Sequence, residues 1–285
     1  MVKVAILGKT GMLGRAVLEE FEKSDFSIIA TRRQDLDAEY SFEQDVEKIL
    51  RDCDYAINCI GIIKPYIHDD NFYEVQRAIK VNSLFPHKLA NVAKITGTKI
   101  IQIATDCVYD GAMGNYDEGS IHNPIDVYGK TKSLGEISSE TFLNLRCSII
   151  GREEKSFLSL LEWFLNQPQN ATVDGYLNHY WNGVTTNAFA KICRGIIENN
   201  LWFSGKQHIL ASDSPSKAGM LKIFAEVFNR QDIKIKNINA KNLINRTLMT
   251  QNKALHEKIW YSAGYSEIPT VQDMVKDLSL SKKIF

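Results

Sequence analysis

The apolar residues in the first half of the chain alternate between two kinds of spacing. Nearly continuous apolar runs are typical of strands buried on both faces, whereas apolar residues three or four apart are typical of helices. The predicted strands cover residues 2–7, 26–30, 55–60, 99–104 and 142–147, and the predicted helices cover 12–21, 42–50, 75–92 and 127–140. Because strands separated by such helices connect through right-handed crossovers, the pattern predicts an α/β fold with a parallel sheet covered on both faces.

The second half of the chain is less regular. Helical spacing occurs at 157–164, 186–197, 217–228 and 271–278, and strand-like runs occur at 207–210 and 232–238. We therefore place a domain boundary near Ile150, where the regular alternation stops. Residues 1–150 form the first domain, and residues 151–285 form mainly a smaller α/β lobe, some of whose elements we expect to return to the first sheet.

The composition excludes several classes of protein. Lys plus Arg and Asp plus Glu both number 34 among the 285 residues, so the formal net charge is zero. A binder of nucleic acid or anionic membranes normally carries a basic excess, so we expect neither partner. No apolar run approaches the roughly 20 residues of a membrane-spanning helix, and the N-terminus lacks a signal-peptide pattern. The five cysteines include no C-x-x-C pair, so we expect a cytoplasmic protein without disulfides or a bound metal.

A glycine-rich turn follows the first predicted strand. Residues 8–14 read GKTGMLG, which is G-x-x-G-x-x-G at the point where a strand passes into a helix. Such glycines permit a tight turn and a close approach of the backbone to a pyrophosphate, and the helix N-terminus favours the anion. The alternative is a glycine-rich turn that binds nothing. We expect a Rossmann-type, doubly wound sheet whose cofactor lies against Gly8, Thr10, Gly11, Met12, Leu13 and Gly14.

Two adjacent arginines, Arg32 and Arg33, follow the second predicted strand. In dinucleotide-binding folds this position faces the adenosine ribose, where an acidic residue holds the 2′-hydroxyl of NAD and an arginine accommodates the 2′-phosphate of NADP. The first acidic residue here is Asp35, after both arginines. The pair therefore favours NADPH over NADH, although two solvated surface arginines would give the same pattern.

A candidate catalytic group combines Thr105, Tyr128 and Lys132. Residues 128–132 read YGKTK, and the i, i+4 spacing places Tyr128 and Lys132 on one face of a predicted helix. A tyrosine can donate a proton to a developing alkoxide, and we expect the nearby ammonium to lower the pKa of its hydroxyl. Thr105 follows the strand at 99–104, and ligands bind at the carboxyl ends of parallel strands. A Y-x-x-x-K pair alone is common on surface helices.

Together these motifs resemble the extended short-chain dehydrogenase/reductase family, and within it the dTDP-4-dehydrorhamnose reductase branch. The resemblance covers roughly residues 1–151 and is looser beyond them. Its motifs, in family order, are GKTGMLG at 8–14, NCIG at 58–61, VN at 81–82, TDCVYDG at 105–111, NYDE at 115–118, YGKTK at 128–132, GE at 135–136 and the L-R-x-S-x-x-G pattern at 145–151.

The resemblance implies a role for each matching residue. Tyr128 would protonate the C4 oxygen of a nucleotide-linked 4-keto-6-deoxy sugar as NADPH reduces C4, a step of deoxysugar biosynthesis. Thr105 would bind the carbonyl oxygen, Lys132 would hold the nicotinamide ribose, and Asn82 would support the lysine. Further cofactor contacts are implied at Cys59, Ile60, Gly61, Asp45 and Val46.

The sequence departs from the branch at two places. Cys107 stands where the family has an aromatic residue, and Ile149 and Ile150 stand where the reductases have a tryptophan that meets the sugar. Trp181 could replace that tryptophan, or it could make an ordinary aromatic contact. The identity of the sugar and its nucleotide therefore stays open.

Cys107 supports a first alternative function. Enzymes such as GDP-fucose synthase and the plant rhamnose synthases both epimerise and reduce 4-keto sugars, and they resemble this chain at that cysteine. There the cysteine removes the proton beside the ketone, and a nearby cation could lower its pKa. The acid partner would be His179, Lys155 or neither, and Cys107 could equally be a small residue lining a pocket.

The second alternative is a non-catalytic, NADP-binding subunit. The β subunit of methionine adenosyltransferase resembles the same reductases, and a shared fold does not imply a shared function. Such a subunit need not keep the candidate catalytic group, yet Thr105, Tyr128 and Lys132 are all present. Some family members are dimers with magnesium at the interface. The sequence leaves a homodimer open and contains no residues that demand the metal.

Overall fold

The computed structural model describes residues 1–153 and 157–281. Its centre is a six-stranded parallel sheet with the strand order β10-β5-β4-β3-β1-β2. These strands are β1 (Lys3–Leu7), β2 (Ser27–Thr31), β3 (Tyr55–Asn58), β4 (Lys99–Ala104), β5 (Phe142–Arg146) and β10 (Gly205–His208). Because β1 lies between β2 and β3, the strand order reverses there, and ligands bind at such a reversal in doubly wound sheets.

Both faces of the sheet are buried. In β1 the side chains of Val4 and Ile6 belong to one hydrophobic core, and those of Ala5 and Leu7 belong to the other. All four are completely buried, which explains why the strand is a continuous apolar run rather than an alternating one. The sequence-based prediction of a covered, doubly wound α/β sheet is therefore confirmed.

Ten α-helices occur in the described part of the chain. They are α1 (Met12–Phe21), α2 (Glu43–Leu50), α3 (Phe72–Ala78), α4 (Phe85–Thr96), α5 (Val127–Leu134), α6 (Leu160–Leu165), α7 (Thr186–Glu198), α8 (Lys217–Val227), α9 (Lys253–Ser262) and α10 (Val271–Leu280). Helices α3 and α4 are joined by a π-helical segment, Ile79–Leu84, where the sequence predicts one helix over 75–92. Such wider turns are frequent at functional sites, and this one carries Asn82.

Helix α5 is shorter than the prediction of 127–140. It begins at Asp126, whose carboxylate accepts a hydrogen bond from Gly129 N at 2.8 Å, and it ends at Gly135. A Cβ at Gly135 would overlap the carbonyl oxygen of Asn82. The glycine therefore allows the end of α5 to pack directly on the π-helical segment.

The second half of the chain both extends the sheet and adds a wall beside it. Strand β10 pairs with β5 at the sheet edge, and α7 packs on α1. The remaining strands form three parallel pairs: β6 (Ile149–Ile150) with β9 (Val184–Thr185), β7 (Thr172–Tyr176) with β11 (Lys234–Ile238), and β8 (His179–Tyr180) with β12 (Ile244–Asn245). No helix in the described ranges is long and apolar enough to cross a bilayer. The domain boundary near Ile150 stays a prediction.

Candidate active site

A cavity of about 1100 Å³ opens at the carboxyl ends of β1, β3 and β4. It is lined by the glycine turn, by the segments that follow β3 and β4, and by residues of the second half of the chain. Of the predicted site residues, it brings together Thr10, Gly11, Met12, Leu13, Cys59, Ile60, Gly61, Thr105, Cys107, Tyr128, Lys132 and Trp181. The cavity that most of the predicted site residues line therefore lies where the strand order of the sheet reverses.

The glycine turn has the geometry that its sequence requires. Gly8 adopts a φ of 85°, which side-chain-bearing residues rarely adopt. A Cβ at Gly14 would overlap the Gly8 carbonyl oxygen and lie 3.0 Å from Lys9 Cα, so glycine is needed for α1 to begin this close to β1. Backbone N–H groups at the start of α1 therefore face the cavity, where an anion can accept their hydrogen bonds.

Asn82 fastens the loop after β3 to helix α5. Its Oδ1 accepts a hydrogen bond from Ile62 N at 2.9 Å, and its Nδ2 donates to Ile62 O at 3.0 Å and to Thr131 Oγ1 at 3.3 Å. Asn82 is buried. It therefore fixes two cavity walls relative to each other, and it reaches the helix of Lys132 through the neighbouring Thr131.

Thr105, Tyr128 and Lys132 meet in the cavity. Thr105, Tyr128 and Lys132 all line the larger cavity, and Lys132 Nζ donates to the Ile103 carbonyl oxygen at 2.9 Å. Helix α5 can come this close because residue 129 is glycine: a Cβ there would overlap the Cys107 carbonyl oxygen. A tyrosine hydroxyl, a threonine hydroxyl and a lysine ammonium group therefore line one cavity.

Burial dominates the electrostatics of this group. It raises the pKa of the Tyr128 hydroxyl well above its ordinary value, and the nearby Cys107 and Asp106 raise this pKa further. Burial also lowers the pKa of Lys132 to about 8. The expectation of a lowered Tyr128 pKa is therefore wrong for this structure, because desolvation disfavours the phenolate. Tyr128 stays protonated at neutral pH, as a proton donor must.

Cys107 lines the same cavity as a protonated thiol. Its backbone N–H donates to Thr105 Oγ1 at 3.2 Å. Burial, and then the carboxyl group of Asp106, raises the pKa of the thiol to about 12. A base that removes a proton must be a thiolate at working pH, so this environment opposes the role that the epimerase alternative assigns to Cys107.

A second, smaller cavity of about 190 Å³ adjoins Gly8, Thr10 and Gly11. Arg33 lines it, with Nε 2.9 Å from Asp37 Oδ2 and Nη2 3.5 Å from Glu39 Oε2. Arg77, from α3, contacts the same Glu39 oxygen at 3.4 Å. Arg32 is not among the lining residues and pairs with Asp35 at 3.4 Å. Sequence reasoning missed Asp37, Glu39 and Arg77, because only the fold brings α3 beside the segment after β2.

The cofactor contacts at Asp45 and Val46 stay predictions. Neither residue lines either of the two cavities. Asp45 accepts a hydrogen bond from Phe42 N at 3.0 Å at the start of α2, and Val46 is completely buried in the core. The residues from this part of the chain that line the smaller cavity are 36–39. The sequence offers several acidic residues between β2 and α2, and spacing alone does not select among them.

The far wall of the larger cavity contains His179, Tyr180, Trp181 and Lys217. His179 Nε2 donates to the Asn242 carbonyl oxygen at 3.1 Å. Ile149 and Ile150, at the position of the reductases' tryptophan, line the cavity as well. Lys155, the other candidate acid, lies outside the described residues. Lys217 was not singled out by any motif, and its placement is a product of the tertiary fold.

Comparisons with known proteins agree with this geometry. The chain is 26% identical to the methionine adenosyltransferase 2 subunit beta of Rattus norvegicus over 249 residues, which cover 80% of this chain and 72% of that protein. It is 26% identical over 136 residues to the dTDP-4-keto-6-deoxy-D-glucose reductase of Streptomyces niveus, covering 46% of this chain and 45% of the reductase.

Solved structures of reductases share the fold. The dTDP-4-dehydrorhamnose reductase of Bacillus anthracis, in complex with NADP, matches with a TM-score of 0.80 at 18% identity over 99% of this chain and all of that one. The enzyme of Clostridium acetobutylicum matches with a TM-score of 0.76 at 19% identity over 97% of this chain and 98% of that one. The family model described as the RmlD substrate binding domain matches residues 2–282. The chain therefore belongs to the RmlD substrate binding domain family, the family of the dTDP-4-dehydrorhamnose reductases.

Proposed function

We propose that this protein is an NADPH-dependent reductase of the C4 ketone in a nucleotide-linked 4-keto-6-deoxy sugar. The observation that carries the proposal is that Thr105, Tyr128 and Lys132 share one cavity with the glycine turn. A proton donor, a carbonyl-binding hydroxyl and a cation thus lie beside the place where a dinucleotide fits. Family membership supports the same reaction class.

The residues present fit a dinucleotide cofactor. Gly8 and Gly14 leave no room for a side chain, which keeps the turn tight enough for its backbone N–H groups to approach a pyrophosphate. Arg33, in the smaller cavity, would meet the 2′-phosphate, which would require it to leave its ion pairs with Asp37 and Glu39. The pair with the partly exposed Asp37 contributes at most about 1 kcal/mol. The Glu39 carboxylate, which is only 10% exposed, keeps Arg77 as a partner. When bound, NADPH supplies the hydride.

The side chains divide the remaining work. Thr105 donates a hydrogen bond to the ketone oxygen and orients it toward Tyr128. Tyr128 then donates its proton to that oxygen as negative charge develops there, which in general is worth roughly 10²–10⁴ in rate. Lys132, whose pKa of about 8 leaves it mostly protonated at neutral pH, stabilises the tyrosinate that remains. Asn82 keeps the loop and the helix in register during the step.

Two alternatives predict different outcomes. A bifunctional 3,5-epimerase and 4-reductase would need Cys107 as a base, and the raised pKa of its thiol disfavours this. An accessory subunit is suggested by the likeness to the β subunits of methionine adenosyltransferase 2. An accessory subunit need not keep Thr105, Tyr128 and Lys132, and here all three line one cavity with the glycine turn, so the reductase is the stronger proposal.

The experiment that tests the proposal uses the purified chain with NADPH and a panel of dTDP-, GDP-, UDP- and CDP-linked 4-keto-6-deoxy sugars. We expect loss of NADPH absorbance with at least one of them, and a Tyr128→Phe variant should lose it. Tyr73→Phe, which changes an exposed tyrosine, is the matched control and should behave as the wild type. If no panel member oxidises NADPH, the proposal is wrong and the accessory-subunit alternative gains.

A further inference from the structure

The larger cavity carries more positive than negative charge, although the whole chain is neutral. Among the described residues, six basic side chains line it: Lys9, Arg15, Lys64, Lys132, Lys217 and Arg246. Two acidic side chains, Asp106 and Glu153, line it as well, and burial raises the pKa of Asp106. A cavity with this balance is suited to anionic ligands.

Several of these basic groups already have protein partners. Lys132 donates to a backbone carbonyl group, and Lys64 forms an ion pair of 2.7 Å with Asp126. Arg246 donates to the carbonyl oxygens of Tyr109 and Asp110 at 2.9 and 3.3 Å. Lys9 belongs to the glycine turn, where the cofactor's pyrophosphate is expected.

Lys217 is different because it is half-buried and has no partner. It is the first residue of α8 and lines the larger cavity together with Tyr180, Trp181 and Met220. Within residues 1–153 and 157–281, its ammonium group forms neither a hydrogen bond nor an ion pair. Burial lowers the pKa of Lys217, and no neighbouring charge counteracts that effect. Partly removing an unpaired cation from water destabilises the folded protein. An anionic ligand beside Lys217 would offset that loss of hydration.

We propose that Lys217 is a substrate-binding residue that holds the diphosphate group of the nucleotide sugar. This inference rests on the proposed function and assigns a position to the substrate within it. In a hexopyranose ring, C1 and C4 lie at opposite corners. With C4 against Thr105 and Tyr128, the diphosphate on C1 must point away from them. The glycine turn is taken by the pyrophosphate of the cofactor, which leaves the wall with Lys217 for the second diphosphate.

The other group on that wall supports the assignment. Glu153 is the acidic residue that lines this part of the cavity, and its Oε2 accepts a hydrogen bond from Ser159 N at 3.0 Å. The carboxylate is thus held by the backbone rather than by Lys217. An ammonium group binds phosphate as a compact point charge that needs no fixed geometry. Lys217 would therefore contribute affinity for any nucleoside diphosphate and would not distinguish the bases.

The test measures equilibrium binding of dTDP, UDP, GDP and CDP by calorimetry in the presence of NADPH. We expect Lys217→Met to weaken binding of whichever nucleotides bind the wild type by about 10- to 100-fold, the range for losing a charge-assisted hydrogen bond. Binding of NADPH alone should not change. Lys222→Met is the matched control, since Lys222 is exposed on the same helix. Lys217→Arg should restore most of the affinity.

The results separate this inference from the proposed function. If Lys217→Met binds each nucleotide within twofold of the wild type, or if its affinity for NADPH falls equally, the inference is overturned. It is also overturned if the wild type binds none of the four nucleotides. Turnover is measured separately. If binding depends on Lys217 but no keto sugar oxidises NADPH, the inference stands and the proposed function fails. If the wild type turns over a keto sugar and Lys217→Met has the same KM for that sugar, the proposed function stands and the inference about Lys217 fails.

Discussion

Replacing Gly129 by alanine tests whether the packing of α5 sets the catalytic geometry. The added Cβ would lie 2.8 Å from Pro124 Cβ and would overlap the Cys107 carbonyl oxygen. Carbon atoms in contact are normally about 3.5–4.0 Å apart, so α5 must move outward by about 1 Å. Displacements of about 1 Å can cost a factor of about 100 in rate. We therefore expect kcat to fall by roughly two orders of magnitude, because Tyr128 moves away from Thr105.

Overpacking also destabilises a protein, typically by about 1–3 kcal/mol, so the control must carry the same strain elsewhere. Gly195 in α7 provides it, since a Cβ there would lie 2.8 Å from Ala263 N and would overlap the Ser262 carbonyl oxygen. Both alanine variants should lower the thermal unfolding midpoint by similar amounts. The activity assay uses the keto sugar that the wild type reduces, at a temperature below the unfolding midpoints of both variants. Under these conditions Gly195→Ala should keep the wild-type kcat. Equal activity of the two variants would refute the positional argument.

Three further predictions follow from the site and its surroundings. Replacing Arg32 and Arg33 by glutamine should raise the KM for NADPH by about 10- to 100-fold and leave the KM for NADH nearly unchanged. Reduction in D₂O should place no deuterium at C3 or C5, and Cys107→Ser should keep reductase activity, because the pKa of Cys107 is about 12. Burial lowers the pKa values of His208 and His256 to about 4. The unfolded chain therefore binds more protons between pH 6.5 and 4, so denaturant titrations should show stability falling in that window as pH falls, by up to about 1.4 kcal/mol per histidine per pH unit.

The histidine prediction has a structural cause beyond burial. His256 Nε2 accepts hydrogen bonds from Trp260 Nε1 at 3.1 Å and from Leu210 N at 3.3 Å. His208 Nδ1 donates to the Met249 carbonyl oxygen at 2.8 Å, and its Nε2 faces the guanidinium of the buried Arg146. Each ring is therefore neutral in the folded protein. Protonating Nε2 of either ring would place a second N–H donor against the N–H donors that already face it. Acid should therefore weaken the packing of β10 on the neighbouring segments.

The first half of the fold could be predicted because its elements are dictated locally. The strand at 99–104 agrees with β4 residue for residue, since a central strand must be apolar on both faces. The glycine turn was equally predictable, because Gly8 and Gly14 meet backbone constraints that only glycine satisfies. Thr105 was predicted from the rule that ligands bind at the carboxyl ends of parallel strands, and Tyr128 from its i, i+4 spacing to Lys132 on a helix.

In the second half, helices α7, α8 and α10 agree with the predictions 186–197, 217–228 and 271–278. The short strands there were not predicted, because they depend on tertiary contacts. Strands β8 and β9 have two residues each, too short for any periodicity to appear. The cofactor contacts at Asp45 and Val46 stay predictions: Asp45 accepts a hydrogen bond from Phe42 N at the start of α2, and Val46 is buried in the core. Arg77 and Lys217 belong to no motif, and they reach the cavities only because α3 and α8 pack where they do.

Net charge illustrates the same limit in physical terms. Exposed charges are largely screened beyond the Debye length, about 8 Å at physiological ionic strength, so the net charge of the whole chain says little about any one site. Inside a cavity with low-dielectric walls, charges are screened less and interact more strongly, so the local balance determines which ligands bind. The basic residues that line the larger cavity come from positions as distant in sequence as Lys9 and Arg246. Composition excluded a uniformly basic surface, but only the fold could gather these residues. For the same reason Lys217, rather than any overall property of the chain, is where recognition of the substrate's charge should be sought.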